Sequence, residues 1–277
     1  MKIKYLTFEC ISKCNMDCRF CFSYWRDNNP EINSAKAKEA IQILKNQGLK
    51  AINFTGGEPL LRKDIDELIK YAKKLGLTTI LTTNGILLKE KLDKINKNTD
   101  FIGLPLDSEI AEIHNNMRKT SAVKNHHRLI IELIDYLHKN YPKIGIKINT
   151  VVTKKNKNSI IGIGNLVRGK IVSWKLSHFI PGAYGKKHQK EFEITNQEFI
   201  KVSKECIEKN KGINIIASIA HSRDSGCRIL STEGHLLKPN KNKLIDLGEI
   251  SNFITDKDFN ENINVHFLNK TYPRIIK

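Results

Sequence analysis

The sequence predicts an α/β fold in which parallel strands alternate with helical crossovers, and three observations carry that expectation. Between Lys4 and Ile180, short β-branched or apolar runs alternate with segments of helical period. The alternation is strict, six β units with five crossovers, a pattern that folds as a parallel sheet with right-handed connections. The 277 residues are 40% hydrophobic and 27% charged, enough to bury a large core and too apolar for wholesale disorder. Six units suit either an open doubly wound sheet or a partial barrel.

The first unit is Lys4–Phe8, followed by helical periodicity over Ala35–Gln47. Ala51–Phe54 is a short apolar run ending at Thr55-Gly56-Gly57, and Asp64–Lys74 places Ile65, Leu68, Ile69 and Ala72 on one helical face. Thr78–Thr83 reads as a β-branched strand closed by Asn84-Gly85, with a helix over Leu87–Ile95. Phe101–Leu106 is the next strand, and Ser121–Lys139 a long amphipathic helix with Leu129, Leu133, Ile134 and Leu137 on one face. Ile144–Val152 and Ile171–Ile180 are the last two strands, separated by the weakly helical Ser159–Arg168. After Pro181 the alternation is expected to stop. Thr195-Asn196-Gln197-Glu198 has the form of a capping box opening a helix over Phe199–Lys209. Strand-like pieces follow at Ile213–Ser218, Arg228–Ser231 and Leu236–Leu237, with Glu233-Gly234 as a turn. No Pro/Gly/Ser-rich linker intervenes, so residues 182–277 are expected to pack as an α+β extension on a core formed by residues 1–181.

The formal net charge of +18 would suit a polyanion partner. Only nine of the 47 basic residues are Arg, however, and the lysines are dispersed among Asn and Ile, the pattern of a compositional bias. Nucleic acid is therefore not the expected partner. No apolar run approaches the roughly 18 residues needed to cross a bilayer. Met1–Tyr5 leads straight into a strand-like segment without a signal-peptide core, so a cytoplasmic protein is expected. In that setting the six cysteines point to metal or redox chemistry rather than a disulfide framework.

Four of them, Cys10, Cys14, Cys18 and Cys21, fall within twelve residues. Cys14, Cys18 and Cys21, in a loop just after the first strand, can bind three corners of a cuboidal iron–sulfur cluster. A [4Fe–4S] cluster takes four ligands, so three thiolates leave one iron open for catalysis. The alternative is structural zinc with Cys10 as fourth ligand, in a zinc-stabilised nucleic-acid-binding protein. Cys206 lies on an expected helix and reads as structural, while Cys227 could line a pocket from the tail.

The C-x3-C-x2-C loop, with Phe20 just before its last cysteine, resembles the signature of the radical S-adenosylmethionine (SAM) enzymes. That resemblance extends to Gly56-Gly57-Glu58-Pro59 after the second strand. It implies a partial (β/α)6 TIM-type barrel core with the C-terminal extension closing it. It further implies a [4Fe–4S] cluster on Cys14, Cys18 and Cys21, Phe20 holding the adenine through its backbone, and Gly56–Pro59 binding the amino group of SAM. Glycines let carbonyls approach an ammonium, and Glu58 would add a counter-charge. By the same resemblance Asn84 and Asp107-Ser108 lie at the SAM ribose and Arg118 supports the SAM site. One electron from a flavodoxin or ferredoxin would cleave SAM to methionine and a 5′-deoxyadenosyl radical, which abstracts hydrogen from a substrate. His114, His126 and His127 read as surface residues. The tail lacks the cysteines of an auxiliary-cluster extension, so one cluster is expected.

Strand parity bears on the substrate. Ile146 and Ile148 oppose Lys147 and Asn149, Trp174 and Leu176 oppose Lys175 and Ser177, and Ile102 and Leu104 oppose Gly103 and Pro105. A barrel filled only by core packing would be apolar on both faces, so the polar set points to a lumen holding a polar ligand. Over its whole length the chain is similar to the viperin-type branch, which dehydrates the ribose of nucleoside triphosphates. Points of similarity are Cys21-Phe22, Ala51–Pro59, Lys147-Ile148-Asn149, Trp174-Lys175, Asp224-Ser225 and Ile245–Gly248. The similarity places Lys147, Asn149 and Lys175 at the substrate, with both lysines on phosphate. The chain has Thr7, Ala51, Ser173 and Gly226 where that branch has Asn, Lys, Arg and Tyr. A peptide-modifying or other small-molecule role, nearer the molybdopterin-precursor cyclases in general pattern, is the second reading.

Overall fold

A computed structural model describes residues 4–22, 30–219, 228–240 and 243–251. The alternation is realised as β1 (Tyr5–Glu9), α1 (Ser34–Asn46), β2 (Ala51–Thr55), α2 (Ile65–Lys74), β3 (Thr78–Thr82), α3 (Leu88–Ile95) and β4 (Phe101–Pro105). Next come α4 (Ala111–Met117), α5 (His126–Asn140), β5 (Gly145–Val152), α6 (Ile163–Val167) and β6 (Ser173–His178). After α7 (Ala183–Lys187) and α8 (Gln189–Phe192), helix α9 (Asn196–Lys209) leads into β7 (Ile215–Ser218), and β8 (Ile229–Leu230), β9 (His235–Asn240) and β10 (Lys243–Glu249) follow.

Several boundaries differ from expectation for local physical reasons. The long helix starts at His126 rather than Ser121 because the Asn125 side chain caps it, accepting from Arg128 N at 3.0 Å. Helix α4 was hidden by its length of seven residues and its Asn115-Asn116 pair. The Thr195–Glu198 capping box is formed in both directions. The alternation also runs one unit further than Pro181, since α9 returns the chain to β7, which pairs parallel to β6.

The strand order is β10-β9-β8-β1-β2-β3-β4-β5-β6-β7, with β8 parallel to β1 and β9 and β10 running antiparallel along the edge. Tyr5 on β1 and Ile216 on β7 nonetheless line one cavity. Six strand intervals in a flat sheet would part them by roughly 29 Å. The sheet is therefore curled into a partial barrel, its inner faces turned toward a shared lumen.

The outer face carries the core. Leu6, Phe8, Ile52, Phe54, Leu104, Ile148 and Leu176 are fully buried. They share one cluster with Ile41 and Leu44 of α1, Leu68 and Ile69 of α2, and Leu133 and Leu137 of α5. Trp174 on β6 is also fully buried, and its Nε1 donates to Thr150 Oγ1 at 2.8 Å on β5. Thr150 Oγ1 in turn donates to the Leu106 carbonyl, at the end of β4. One indole thus links β6 through β5 to the end of β4, just before Asp107. Trp174→Phe keeps most of the apolar contact but leaves a buried hydroxyl short of a donor. The urea midpoint should fall by the equivalent of about 1–3 kcal/mol, read by tryptophan-independent far-UV circular dichroism.

Candidate functional site

The cysteine loop is seated on β2 by its backbone. Cys10 N donates to Thr55 O at 2.9 Å, Gly57 N to Ile11 O at 2.7 Å and Glu58 N to Lys13 O at 2.8 Å. Gly56 has φ +139°, and a Cβ on Gly57 would lie 2.1 Å from Lys13 O. The glycine pair is thus required for close approach of two loops, where an approach to an ammonium alone was expected. The Glu58 carboxylate also turns away from the cavity. It is fully buried and accepts from Leu60 N (3.0 Å), Thr83 Oγ1 (2.7 Å) and Asn84 N (2.7 Å). Burial pushes it up to about 6 against the pull of those three donors. Pro59 opens a buried 3₁₀ turn, Pro59–Leu61, behind it.

A cavity of about 330 Å³ opens at the C-terminal ends of the strands, and Cys14, Cys18 and Cys21 all line it with Phe20, Gly56, Gly57, Asn84, Arg118 and Asn149. Cys10 does not. Its thiol is fully buried and donates to Thr55 O at 3.1 Å, which removes it from the zinc set considered above. Among the described residues no three His, Cys, Asp or Glu side chains converge on a single ion position. A cuboidal cluster presents separate irons to separate thiolates, and three cysteines in no disulfide around one cavity fit that donor set. Burial pushes Cys18 up to about 12, with Arg118 opposing, so a metal cation bound there would have to displace the thiol proton.

The expected ribose side divides into groups that reach the cavity and groups that hold them. Asn84 and Arg118 line it. Asp107 is fully buried behind Arg118, its Oδ2 accepting from Arg118 Nε and its Oδ1 from Val151 N at 2.8 Å. Ser108 is likewise buried, donating to Ser159 Oγ at 2.8 Å. The Arg118 guanidinium lies 5.2 Å over the Phe20 ring, which packs edge-on to Phe192 at 5.8 Å. His114 and His126, expected at the surface, are buried between the Asn84 and Asp107 loops, at 0% and 1% exposure. The sequence also passed over Glu9, the last residue of β1, whose inward parity with Tyr5 was readable and which lines the cavity with Thr55 and Ser177.

Below this chamber lies a second one of about 360 Å³, lined by Lys147, Lys175, Lys50, Asn53, Ala51 and Ser173 among others. Thr82 and Asn149 line both chambers. A Cβ on Gly103 would lie 2.8 Å from Asn149 Nδ2 and 3.1 Å from Thr82 Oγ1, so both side chains crowd that glycine at the waist of the lumen. No carboxylate is among the described residues lining the lower chamber. Lys147 Nζ lies 5.3 Å over the Phe101 ring, and burial lowers its pKa. Ala51 and Ser173, two of the departures noted above, add small neutral groups to this lining. Gly226, Cys227 and Asp224-Ser225 lie outside the described residues, and Cys206 is buried on α9.

The buried histidines make stability acid-sensitive. Burial, reinforced by Arg118 and the other imidazoles, holds His114 well below the histidine range, and burial with Arg118 pushes His126 down to about 4. Unfolded histidine titrates near ~6.5, so between about pH 6.5 and 4 the unfolded chain binds more protons and stability falls as pH drops. Glu58, raised by burial, opposes this as a single carboxyl against two imidazoles. The urea midpoint should therefore be lower at about pH 5 than at about pH 7, and His126→Gln should remove part of that difference.

Comparison with known proteins follows the same lines. The chain is 34% identical over 212 residues to an S-adenosylmethionine-dependent nucleotide dehydratase of Lacinutrix mariniflava, covering 72% of this chain and 43% of that protein. It is 28% identical over 213 residues to a GTP 3′,8-cyclase of Clostridium perfringens, covering 73% and 62% respectively. It thus spans less than two thirds of either relative's own length. Streptococcus suis SuiB bound to precursor peptide SuiA shares the fold, with a TM-score of 0.75 at 17% identity over 92% of this chain and 65% of that one. No helix among the described residues is long and apolar enough to cross a membrane. Residues 8–166, from the end of β1 to α6, match the model of the Radical SAM superfamily, whose members use a [4Fe–4S] cluster and SAM, and the chain belongs to that family.

Proposed function

We propose that this chain is a radical SAM enzyme acting on the ribose of a nucleotide, with the cluster on Cys14, Cys18 and Cys21 and the anionic end of the substrate beside Lys147 and Lys175. The observation that carries the reading is the shared lumen. The chamber lined by three thiols and the chamber lined by Lys50, Lys147 and Lys175 meet at Thr82 and Asn149. Both relatives described above are named for nucleotide chemistry, which supports the substrate class.

When bound, the cluster and SAM supply a one-electron cleavage that yields a hydrogen-abstracting 5′-deoxyadenosyl radical, the electron coming from a flavodoxin- or ferredoxin-type donor. The residues of the chain bind and orient. Gly56 and Gly57 border the cavity with their backbones, and Asn84 and Arg118 offer an amide and a fixed positive charge along its wall. Asp107 holds that guanidinium in place, and Phe20 gives it an aromatic face. Asn149 stands at the waist, within reach of a ligand in either chamber, and Lys175 faces it across β5 and β6. Three lysines with no carboxylate among the described lining residues favour an anion there, and the low dielectric of the lumen strengthens the attraction. Phe20, Phe179 and Met16 give the cysteine chamber an apolar wall on one side.

After anaerobic reconstitution, Cys14→Ala, Cys18→Ala and Cys21→Ala should each abolish 5′-deoxyadenosine formation under dithionite, while Cys10→Ala retains it. Loss in Cys10→Ala with normal folding would move the ligand set. For the substrate, each of the four ribonucleotides should be offered in turn and 5′-deoxyadenosine release measured. At least one should accelerate it, and Lys147→Ala should raise the KM for that nucleotide on the order of tenfold or more, as loss of a charge-assisted contact requires. Silence across all four would retire the nucleotide reading and leave the SAM chemistry standing.

A further inference from the structure

A circuit of contacts leaves the cysteine loop at one end and returns to it at the other. Asn84 Nδ2 donates to Asn15 Oδ1 at 2.7 Å, on the residue after Cys14. The Asn84 carbonyl accepts from His126 Nε2 at 2.8 Å. A carbonyl only accepts, so His126 carries its proton on Nε2 and presents Nδ1 as an acceptor. His114 Nε2 lies 2.8 Å from that Nδ1 and must therefore be the donor. The remaining nitrogen, His114 Nδ1, receives the backbone N–H of Asp107 at 3.1 Å, as the same tautomer demands. The two rings lie 12° from coplanar, the orientation an edge-to-edge imidazole bond needs. From Asp107 the circuit passes through its carboxylate to Arg118 Nε, and from the guanidinium to the face of Phe20, the residue before Cys21.

The placement has a structural reason. The ladder between β3 and β4 ends at Thr82 opposite Gly103, with one more bond from Thr83 N to Gly103 O. Asn84 and Asp107 stand beyond it, where no strand pairing fixes their separation. His114 from α4 and His126 from α5 fill that gap with three consecutive hydrogen bonds in a buried setting. Each donor faces an acceptor in one arrangement only. An added proton would leave two N–H groups opposed somewhere along the chain, and a buried mismatch of that kind is costly.

We propose that His114 and His126 are positioning residues for SAM, a neutral two-imidazole bridge that sets the distance between the Asn84 loop and the Asp107–Arg118 loop on the wall of the cysteine chamber. This rests on the reading of that chamber as the SAM site. Neither ring lines the chamber, so both act through Asn84 and Asp107.

The test uses the full chain, anaerobically reconstituted, with SAM binding measured by equilibrium dialysis and iron counted independently. His126→Leu should weaken SAM binding on the order of tenfold at unchanged iron content, while His126→Gln, which can still donate and accept, should stay within about threefold of the parent. On the unmutated protein, long-range proton–nitrogen correlation spectra at about pH 7 should show both imidazoles neutral and protonated at Nε2, a readout independent of any variant's folding. Parental affinity in folded His126→Leu, or an Nδ1–H or doubly protonated ring in either position, overturns the proposal. If the unmutated, iron-loaded protein fails to bind SAM at all, the reading of the chamber falls first and the bridge loses its role with it.

Discussion

The site depends on a contact between two stretches of backbone. Parallel pairing of β1 with β2 does not stop where the strands stop, because Gly57 N and Glu58 N continue the donation onto Ile11 O and Lys13 O. The separation is so small that any side chain on Gly57 would collide with the Lys13 carbonyl. The loop bearing Cys14, Cys18 and Cys21 is consequently placed first by the sheet itself, and the Asn15 side chain adds a bond to Asn84. Arg62 reinforces the seat from behind, donating to Cys10 O at 2.7 Å and to Ile32 O at 2.9 Å while paired with Asp64.

From that seat the order propagates sideways through one buried carboxylate. Glu58 gives both oxygens to the next strand end, at Thr83 and Asn84, so the β2 and β3 loops move together. A carboxylate without exposure is expensive to bury, and three donors offset the cost. Asp107 does the same work between the β4 and β5 ends, accepting from Val151 N and Arg118. Two acidic groups that a functional reading would put on a ligand are instead the struts that hold ligand-facing groups. This is a recurrent arrangement for reactive chemistry, where the first contacts are kept in place by a second layer of hydrogen bonds.

The curled sheet divides the labour between its faces. Along β1–β6 the outer face is apolar and packed against helices, which supplies the stability. The inner face is free to be polar, and it changes character along its length from thiols and an amide at one end to lysines at the other. A radical reaction benefits from both properties, since enclosure keeps stray donors and water away while polar groups fix the orientation of a charged substrate.

The local pattern of the chain was sufficient for the strands, their parallel order, the outward and inward faces and the cysteine triad. These follow from periodicity and from spacing within one loop, which are properties of adjacent residues. It also contained the Gly56–Pro59 segment, but not its use, because the partner backbone at Ile11–Lys13 lies more than 40 residues away in sequence. The same distance hid the extra unit formed by β7 and the burial of His114 and His126, and it left the curl of the sheet, which the family resemblance implied, undecided by local pattern alone. Histidine is polar enough to be expected outside, and only the meeting of two loops and two helices gave these rings matched donors and acceptors. Which residues exist, and which side of a strand they occupy, was thus decided by the sequence. Which of them touch a ligand and which merely brace those that do was decided by tertiary contacts, since hydrogen-bond partners remote along the chain meet only after the sheet has curled.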